Sequence, residues 1–239
     1  MRHFWKWVTN ETGRERTLYL EGAIADETWW GDETTPKMFR QELNAGEGNI
    51  TVWINSPGGD VEAAAQIYNM LREYDGEVTV KIDGVAASAA SVVAMAGTKV
   101  MMSPVSMLMI HNPTTFVVGD AEEMTRAKDM LDEYKQSIIN AYQLKTGLSR
   151  VKLAHLMDAE TWMNAHKAVE LGFADEIMYT GGKSPQPTAP AGAGRGLVFS
   201  RLAVANSLID KVTAKAQKTR QPQGTPIDSL DKRLSCIIH

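Results

Sequence analysis

The chain is poor in cysteine and in long apolar runs. Cys236 is the only cysteine among 239 residues and lies near the end, which excludes an intrachain disulfide and a cysteine metal cluster. No apolar run reaches the roughly 18 residues that a membrane-spanning helix needs. The first residues, MRHFWKWVTNETG, lack the apolar core of a secretion leader. We therefore expect a cytoplasmic protein that has no contact with a membrane and holds no metal.

The net charge of −4 is unevenly distributed along the chain. Residues 183–239 carry nine Lys and Arg against three Asp and Glu, whereas residues 1–182 carry sixteen basic and twenty-six acidic groups. Because phosphate contacts require clustered Lys and Arg, the acidic body is not expected to bind nucleic acid. The basic residues of the tail are scattered, which favours a solvated segment over an anion-binding one.

The composition changes sharply near Gly181. Residues 181–196, GGKSPQPTAPAGAGRG, contain almost nothing to bury and are typical of a linker. Residues 197–212 have the apolar spacing of one amphipathic helix. We therefore predict a domain over residues 1–180, a linker over 181–196 and a flexible, basic C-terminal extension over 197–239.

Strand-like and helix-like segments alternate within residues 1–180. Buried, β-branched strands that alternate with helices are typical of a parallel sheet with helices packed on it. The sequence therefore predicts an α/β fold. The predicted strands cover residues 17–25, 49–55, 78–84, 99–103, 106–111 and 173–178, and the predicted helices cover 34–46, 61–74, 87–97, 119–147, 149–157 and 165–171.

A glycine-rich turn, which includes Gly58 and Gly59, follows the predicted strand 49–55. Glycine lets the backbone approach a ligand closely. The helix that begins here points unpaired N–H groups and the positive end of its dipole at the turn. Such a turn can hold a developing oxyanion. A strand-to-helix turn that needs glycine for geometry alone explains the pattern equally well.

Ser88 lies at the next strand-to-helix turn, within the segment GVAASAA. A serine on a sharp turn among small residues has the physical logic of a nucleophile elbow, although the spacing is not that of G-x-S-x-G. The helix start would stabilise negative charge nearby. The competing interpretation is an Ala/Ser-rich helix that packs tightly against its neighbours. This segment, considered by itself, favours that structural interpretation.

A serine needs a base to be nucleophilic at neutral pH. Among the five histidines, His111 ends the apolar segment MLMI, and a side chain at the C-terminal edge of a buried strand projects into the crevice where α/β proteins place their sites. A carboxylate is then needed to orient the imidazole. Asp158 and Glu160 both precede the last predicted helix, and spacing alone does not choose between them.

Four segments carry a family resemblance. INSPGG (54–59), GVAASAA (84–90), MIHNP (109–113) and ETWMNAHKAVELGFADEI (160–177) occur in this order. In order and spacing they resemble the Clp protease proteolytic subunit family, over roughly residues 16–179, and are most similar to its ClpP-like members among phage and prophage head genes. The resemblance implies the ClpP/crotonase fold, a serine peptidase without cofactor, and assembly into homo-oligomeric rings.

The resemblance also implies roles for individual residues. Ser88 corresponds to the family's nucleophile and His111 to its general base. Gly59 and Ala89 correspond to the residues whose N–H groups form the oxyanion hole. An ungapped count places Glu160 where the family has its catalytic Asp, and because Glu is one methylene longer, Asp158 is the alternative.

The expected function is therefore a serine endopeptidase that acts on peptides and proteins, and processes phage capsid or scaffold proteins. The N-terminus does not resemble the family's pore-gating segment, which leaves dependence on a Clp ATPase open. Residues 183–239 have no counterpart in the housekeeping enzyme and could tether the protease to a capsid or scaffold. Three further hypotheses for the function remain: a crotonase-type acyl-CoA enzyme, a Ser–Lys peptidase, and a catalytically silent capsid-assembly protein.

Two segments are expected to contact partners. The stretch 114–119 could align the substrate main chain by strand addition. The helix 120–145 carries apolar residues along one side, which fits either a ring–ring contact, as in the family, or packing on its own core. These residues are Met124, Ala127, Met130, Leu131 and Ile138.

Overall fold

The computed structural model of the protein describes residues 5–9, 16–24 and 36–179. The predicted linker over 181–196 and the predicted extension over 197–239 lie outside these residues.

The described residues form one mixed sheet with helices packed against it. The strands are β1 Trp5–Thr9, β2 Arg16–Glu21, β3 Ile50–Ser56, β4 Val78–Ala87, β5 Lys99–Met102, β6 Met107–Ile110, β7 Thr161–Asn164 and β8 Glu176–Ile177. The helices are α1 Pro36–Leu43, α2 Val61–Arg72, α3 Ala89–Ala94, α4 Ala121–Thr146, α5 Arg150–Asp158 and α6 Ala165–Glu170. The predicted α/β fold is confirmed.

The long strand β4 changes its partner halfway along, and this positions the site. The main sheet runs in the order β1-β2-β3-β4-β5-β8. The first half of β4 pairs with β5, and its second half pairs in parallel with β6, with Ala87 opposite Met109. The carboxyl ends of β4 and β6 therefore lie side by side. Ser88 follows one of these ends and His111 follows the other.

The sequence analysis did not predict two of the strands, β1 and β7. Both pair with their neighbours in the antiparallel direction. The strand β1 pairs with β2, and β7 pairs with β6. Trp5 of β1 is buried and packs edge-on against Phe39 at 5.2 Å. The strands β1 and β7 have only five and four residues. An alternating pattern of apolar and polar residues is too short there to predict a strand.

Strand alternation gives β3 and β4 an apolar inner face. Val52 and Ile54 of β3 and Val80 and Ile82 of β4 are completely buried, and the residues between them are half-buried, as expected where successive side chains point to opposite faces of the sheet. Arg16 is also buried and holds the end of α1, because its guanidinium donates to the carbonyl oxygens of Glu42, Leu43 and Gly46 at 2.6–2.8 Å.

The helix α4 begins at the cap Asp120 and ends at Gly147, whose φ is +68°. Its 26 residues span about 39 Å. None of residues 121–137 is buried, and the buried residues all lie in the second half: Ile138, Ile139, Ala141 and Tyr142. Ile138 thus packs on the core of its own chain, whereas Met124 and Met130 are 49% and 45% exposed.

Candidate active site

Ser88 lies in a strained turn between β4 and α3. Its φ of 55° and ψ of −126° are unusual for a residue other than glycine, and such strain persists only where the surroundings enforce it. The Ser88 N–H donates to the Met109 carbonyl at 2.9 Å. Although Ser88 occupies the N-cap position of α3, its side chain makes no capping bond. The hydroxyl is therefore available for another partner.

That partner is the imidazole of His111. The distance between Ser88 Oγ and His111 Nε2 is 2.7 Å, which is within hydrogen-bond range. His111 is half-buried and directly follows β6. The parallel pairing of β4 with β6 therefore brings together two predicted residues that are 23 positions apart in the chain.

The glycine turn packs directly against the Ser88 turn. Gly58 has a φ of +92°, and a Cβ added to it would lie 2.8 Å from the amide nitrogen of Ala89. Gly59 has a φ of +150°, and a Cβ there would lie 2.1 Å from the carbonyl oxygen of Ile24. Both positions exclude a side chain. The predicted oxyanion residues Gly59 and Ala89 thus belong to two turns in mutual contact.

Ser56 stabilises the glycine turn through two hydrogen bonds. Its hydroxyl donates to the Gly22 carbonyl at 2.5 Å and accepts from the Gly58 N–H at 3.1 Å. Ala89 is the first residue of α3, and the first N–H groups of a helix have no partner within the helix. An amide at this place can donate to a ligand above the two turns.

The two candidate carboxylates lie in different surroundings. Glu160 directly precedes β7, has a φ of +47° and is half-buried. Asp158 accepts hydrogen bonds from Lys135 Nζ at 2.5 Å and from Asn112 Nδ2 at 2.8 Å. Hydrogen bonds from Lys135 and from Asn112 lower the pKa of Asp158. The ionised Asp158 therefore forms a salt bridge with Lys135 of α4 and a hydrogen bond with Asn112, the residue after His111.

A cavity of about 680 Å³ lies between α4 and the residues that follow His111. One wall is the stretch after β6, which has no regular secondary structure, and the other is the exposed half of α4. Apolar side chains such as Phe116, Met124 and Leu131 line it, and Lys135 and Asp158 add one ion pair. The volume is in the range of small-molecule and side-chain sites.

Sequence reasoning missed two sets of residues around the site. One is Lys135, whose link to Asp158 joins α4 to α5. The other is Ser91 and Tyr142, whose hydroxyls lie 2.8 Å apart behind Ser88. A serine three residues after Ser88 was a visible signal, because its hydroxyl can reach back one helical turn. Nothing in the sequence points Tyr142 at it.

The described residues contain neither a metal-binding cluster nor a membrane-spanning helix. Within residues 5–9, 16–24 and 36–179, no group of three or more His, Cys, Asp or Glu side chains is arranged to hold a metal ion. In the same ranges, no helix is both long enough and apolar enough to span a membrane.

The sequence of the chain is similar to a known protein family and to several of its members. A family model described as Clp protease matches residues 2–181. The chain is 29% identical over 178 residues to ATP-dependent Clp protease proteolytic subunit 2 of Thermobifida fusca, covering 72% of this chain and 87% of the relative. It is 31% identical over 169 residues to the ATP-dependent Clp protease proteolytic subunit of Carsonella ruddii, covering 70% and 85%.

Proposed function

The chain belongs to the Clp protease family, and we propose that it is a serine endopeptidase whose nucleophile is Ser88. The observation that carries the proposal is the 2.7 Å contact between Ser88 Oγ and His111 Nε2. A serine hydroxyl becomes nucleophilic at neutral pH when an adjacent base removes its proton. His111 is the proposed base, and the 2.7 Å contact supports that role.

The reaction proceeds through an acyl-enzyme. His111 Nε2 takes the Ser88 proton as Oγ attacks the scissile carbonyl carbon. The imidazolium then gives that proton to the leaving amine, the C–N bond breaks, and an ester remains on Ser88. A water molecule repeats the attack with His111 again as base, which releases the acid product and restores the hydroxyl.

The N–H groups of Gly59 and Ala89 are the proposed oxyanion donors. Gly58 brings its turn within contact distance of the Ser88 turn, so the amides of Gly59 and Ala89 can face one carbonyl oxygen. Donors fixed before the reaction stabilise the negative charge without reorganising, and each is worth roughly 100- to 1000-fold in rate.

Glu160 is the proposed third member of the triad. The pairing of Ile110 with Thr161 ends one residue before His111 and one residue after Glu160, which makes these two the next positions along the same register. A carboxylate beside the imidazole fixes its tautomer and stabilises the imidazolium. Asp158 is less suited, because it is already bound to Lys135 and Asn112.

The substrate is proposed to bind along residues 114–119. These residues have no regular secondary structure and pair with no strand of the described chain, and a substrate main chain could add to them by strand pairing. The cavity between this stretch and α4 would take a substrate side chain. Because Phe116, Met124 and Leu131 line it, we expect a preference for large apolar residues.

The Ser–His contact also separates this proposal from its competitors. An acyl-CoA enzyme would need the oxyanion amides but no Ser–His pair, and a Ser–Lys peptidase would need a lysine on Ser88. Lys135 lies near this region, but its ammonium binds Asp158. The chemistry of the site therefore favours peptide hydrolysis with a histidine base.

A fluorophosphonate probe tests the proposal. We expect wild-type protein to be labelled on Ser88, and both labelling and peptide hydrolysis to fall by roughly 10⁴-fold or more in Ser88→Ala and in His111→Ala. His166→Ala is the matched control, because His166 is exposed on α6, and it should retain full activity. A folded wild-type protein that resists the probe would contradict the proposal and favour an acyl-CoA enzyme or a silent structural protein.

The exposed half of α4 is the proposed contact between copies in a homo-oligomer. Met124 and Met130 are about half exposed there, and Phe116 and Val118 beside it are more than three-quarters exposed. Apolar patches of this kind mark interaction surfaces. Met130→Asp should lower the assembled mass in sedimentation without reducing the thermal stability of the protomer.

The partner in the cell is a separate proposal. The relatives are described as ATP-dependent proteolytic subunits, which favours a Clp-type ATPase as the partner. The capsid-processing role remains a prediction, because residues 183–239, which would carry it, lie outside the described residues. Degradation of a folded protein that requires both ATP and an added Clp ATPase would support the first role over the second.

A further inference from the structure

The carbonyl oxygen of Ser88 accepts two hydrogen bonds from Ser91. The Ser91 N–H lies 3.0 Å from it, as in a 3₁₀-type turn, and the Ser91 hydroxyl lies 2.6 Å from it. The second bond is an addition that a side chain supplies. Ser91 is completely buried, so its hydroxyl is shielded from water.

The same peptide group carries the proposed oxyanion donor. The Ser88 C=O and the Ala89 N–H belong to one planar trans unit, in which the N–H points away from the C=O. Whatever holds the carbonyl therefore also sets the direction of the Ala89 N–H. Donation to the carbonyl polarises the peptide group as well, and so strengthens its N–H as a donor.

Tyr142 completes a chain of three groups. Its hydroxyl lies 2.8 Å from Ser91 Oγ. A serine hydroxyl has one hydrogen, and because Ser91 gives it to Ser88, Tyr142 is the donor to Ser91. Tyr142 is 1% exposed, and burial raises the pKa of its phenol. The phenol therefore keeps its proton at neutral pH.

Packing fixes the tyrosine from the far side. Tyr142 lies in the half of α4 that enters the core, and its ring meets Phe173 edge-on at 5.5 Å. Phe173 is itself fully buried. The chain of hydroxyls thus connects a rigid part of the core to the back of the Ser88 turn.

We propose that Ser91 and Tyr142 are positioning residues that aim the Ala89 N–H at the oxyanion of the bound substrate. Neither touches the reacting atoms, because both lie behind the peptide group whose N–H faces the substrate. The inference rests on the proposed function, since it assigns a role within the same serine peptidase site. It predicts a loss in the chemical step and none in substrate binding.

The test compares Tyr142→Phe and Ser91→Ala with a matched control. Ser106→Ala is that control, because Ser106 is 1% exposed and its hydroxyl donates to the carbonyl of Ser103, three residues earlier, at 2.9 Å. It removes the same kind of buried hydrogen bond away from the site. All three are measured for kcat, for KM and for inhibition by a peptide aldehyde, whose hemiacetal oxygen would occupy the oxyanion position.

We expect kcat to fall about 3- to 10-fold in Tyr142→Phe and about 10- to 30-fold in Ser91→Ala, less than the ~100-fold loss that follows removal of a donor outright. KM should stay within about twofold, and the aldehyde inhibition constant should rise by the same factor as kcat falls, because both report binding of the transition state. Ser106→Ala should leave all three values unchanged.

The outcomes separate this inference from the proposed function. If Tyr142→Phe and Ser91→Ala keep the wild-type kcat, or if kcat falls without a matching change in aldehyde binding, the positioning role is wrong and Ser88 still stands as nucleophile. If wild-type protein neither hydrolyses peptides nor reacts with the fluorophosphonate, both proposals fall. Should Ser91→Ala not fold, Tyr142→Phe decides alone, since it removes a single oxygen atom.

Discussion

Ile110 and Thr161 are paired directly across the antiparallel strands β6 and β7. His111 follows the first and Glu160 precedes the second. Residues that face each other in an antiparallel pair have Cβ atoms about 4.5–5.5 Å apart, so this register favours Glu160 as the group beside the imidazole. Asp158 lies two residues further from the pair, on the far side of the α5 cap.

Substitution of the two carboxylates should rank them. We expect Glu160→Gln to lower kcat/KM by roughly 10³- to 10⁴-fold, because an amide neither stabilises the imidazolium nor holds the productive tautomer. Asp158→Asn should stay within about tenfold of wild type, since its carboxylate is bound to Lys135 and Asn112. Peptide hydrolysis at neutral pH measures both, and the reverse ranking would identify Asp158 as the triad acid.

Gly59→Ala should remove activity and reduce stability together. The new Cβ would lie 2.1 Å from the Ile24 carbonyl oxygen at a φ of +150°, which we expect to cost roughly 2–4 kcal/mol and more than about 100-fold in kcat. Gly147→Ala is the control: its φ is also positive, +68°, but nothing lies within 4 Å.

Gly147→Ala should lose about 1 kcal/mol from the left-handed backbone alone and keep its activity. Urea unfolding and peptide hydrolysis are measured on both variants. Equal activity of the two alanine variants would show that the turn around Gly59 tolerates a side chain and does not shape the site.

Arg16→Lys should destabilise the protein although it preserves the charge. Lysine cannot reproduce the planar fork that reaches the carbonyls of Glu42, Leu43 and Gly46. We expect a loss of about 1–3 kcal/mol in the free energy of unfolding, because the buried carbonyl of Leu43 and the half-buried carbonyls of Glu42 and Gly46 would lose their donors. Arg72→Lys, at an exposed position of α2, should change it by less than about 0.5 kcal/mol.

Stability should depend on the ionisation of Asp158 at acid pH. Hydrogen bonds from Lys135 and from Asn112 lower its pKa from the ordinary value of 3.8. The contribution of the carboxylate is therefore present above pH 3.8 and is lost as the pH falls through the lowered pKa. Asp158→Asn should be less stable than wild type at pH 7, by no more than about 1 kcal/mol because the pair is partly exposed.

The difference between Asp158→Asn and wild type should vanish as the medium becomes more acidic than the lowered pKa. Urea unfolding at a series of pH values measures it, and Lys135→Met should show the same convergence. A stability difference that is constant from neutral to strongly acid pH would contradict the assignment of the Asp158 ion pair.

The order of elements was predictable because each segment carries its own signal. The cap Asp120 and the left-handed Gly147 bound α4, and both fall at the ends of the predicted helix 119–147. In β3 and β4 the buried residues alternate with half-buried ones, and β-branched residues are common, as is typical of strands. Where the signal was short, as in β1 and β7, the prediction missed the strand. The packing of Trp5 against Phe39 stabilises β1, and the pairing with β6 stabilises β7.

The candidate site was predictable in part and for a different reason. Ser88, His111 and the two glycines stand out because small residues and one histidine follow strand ends, where a sheet gathers its functional groups. Glu160 and Asp158 could not be told apart, since each is a carboxylate before the same helix. The proposal of Glu160 over Asp158 rests on the antiparallel register and on the contacts of Lys135 and Asn112 with Asp158.

By itself the sequence determined the α/β class, the strand ends that carry serine and histidine, and the turns that only glycine can form, because these follow from local chemistry and short-range periodicity. Tertiary structure alone decided that β4 leaves β5 for β6, that Tyr142 reaches the back of the Ser88 turn, and that Lys135 binds Asp158. Such contacts join residues 23 to 51 positions apart, and only the packing of whole elements specifies them.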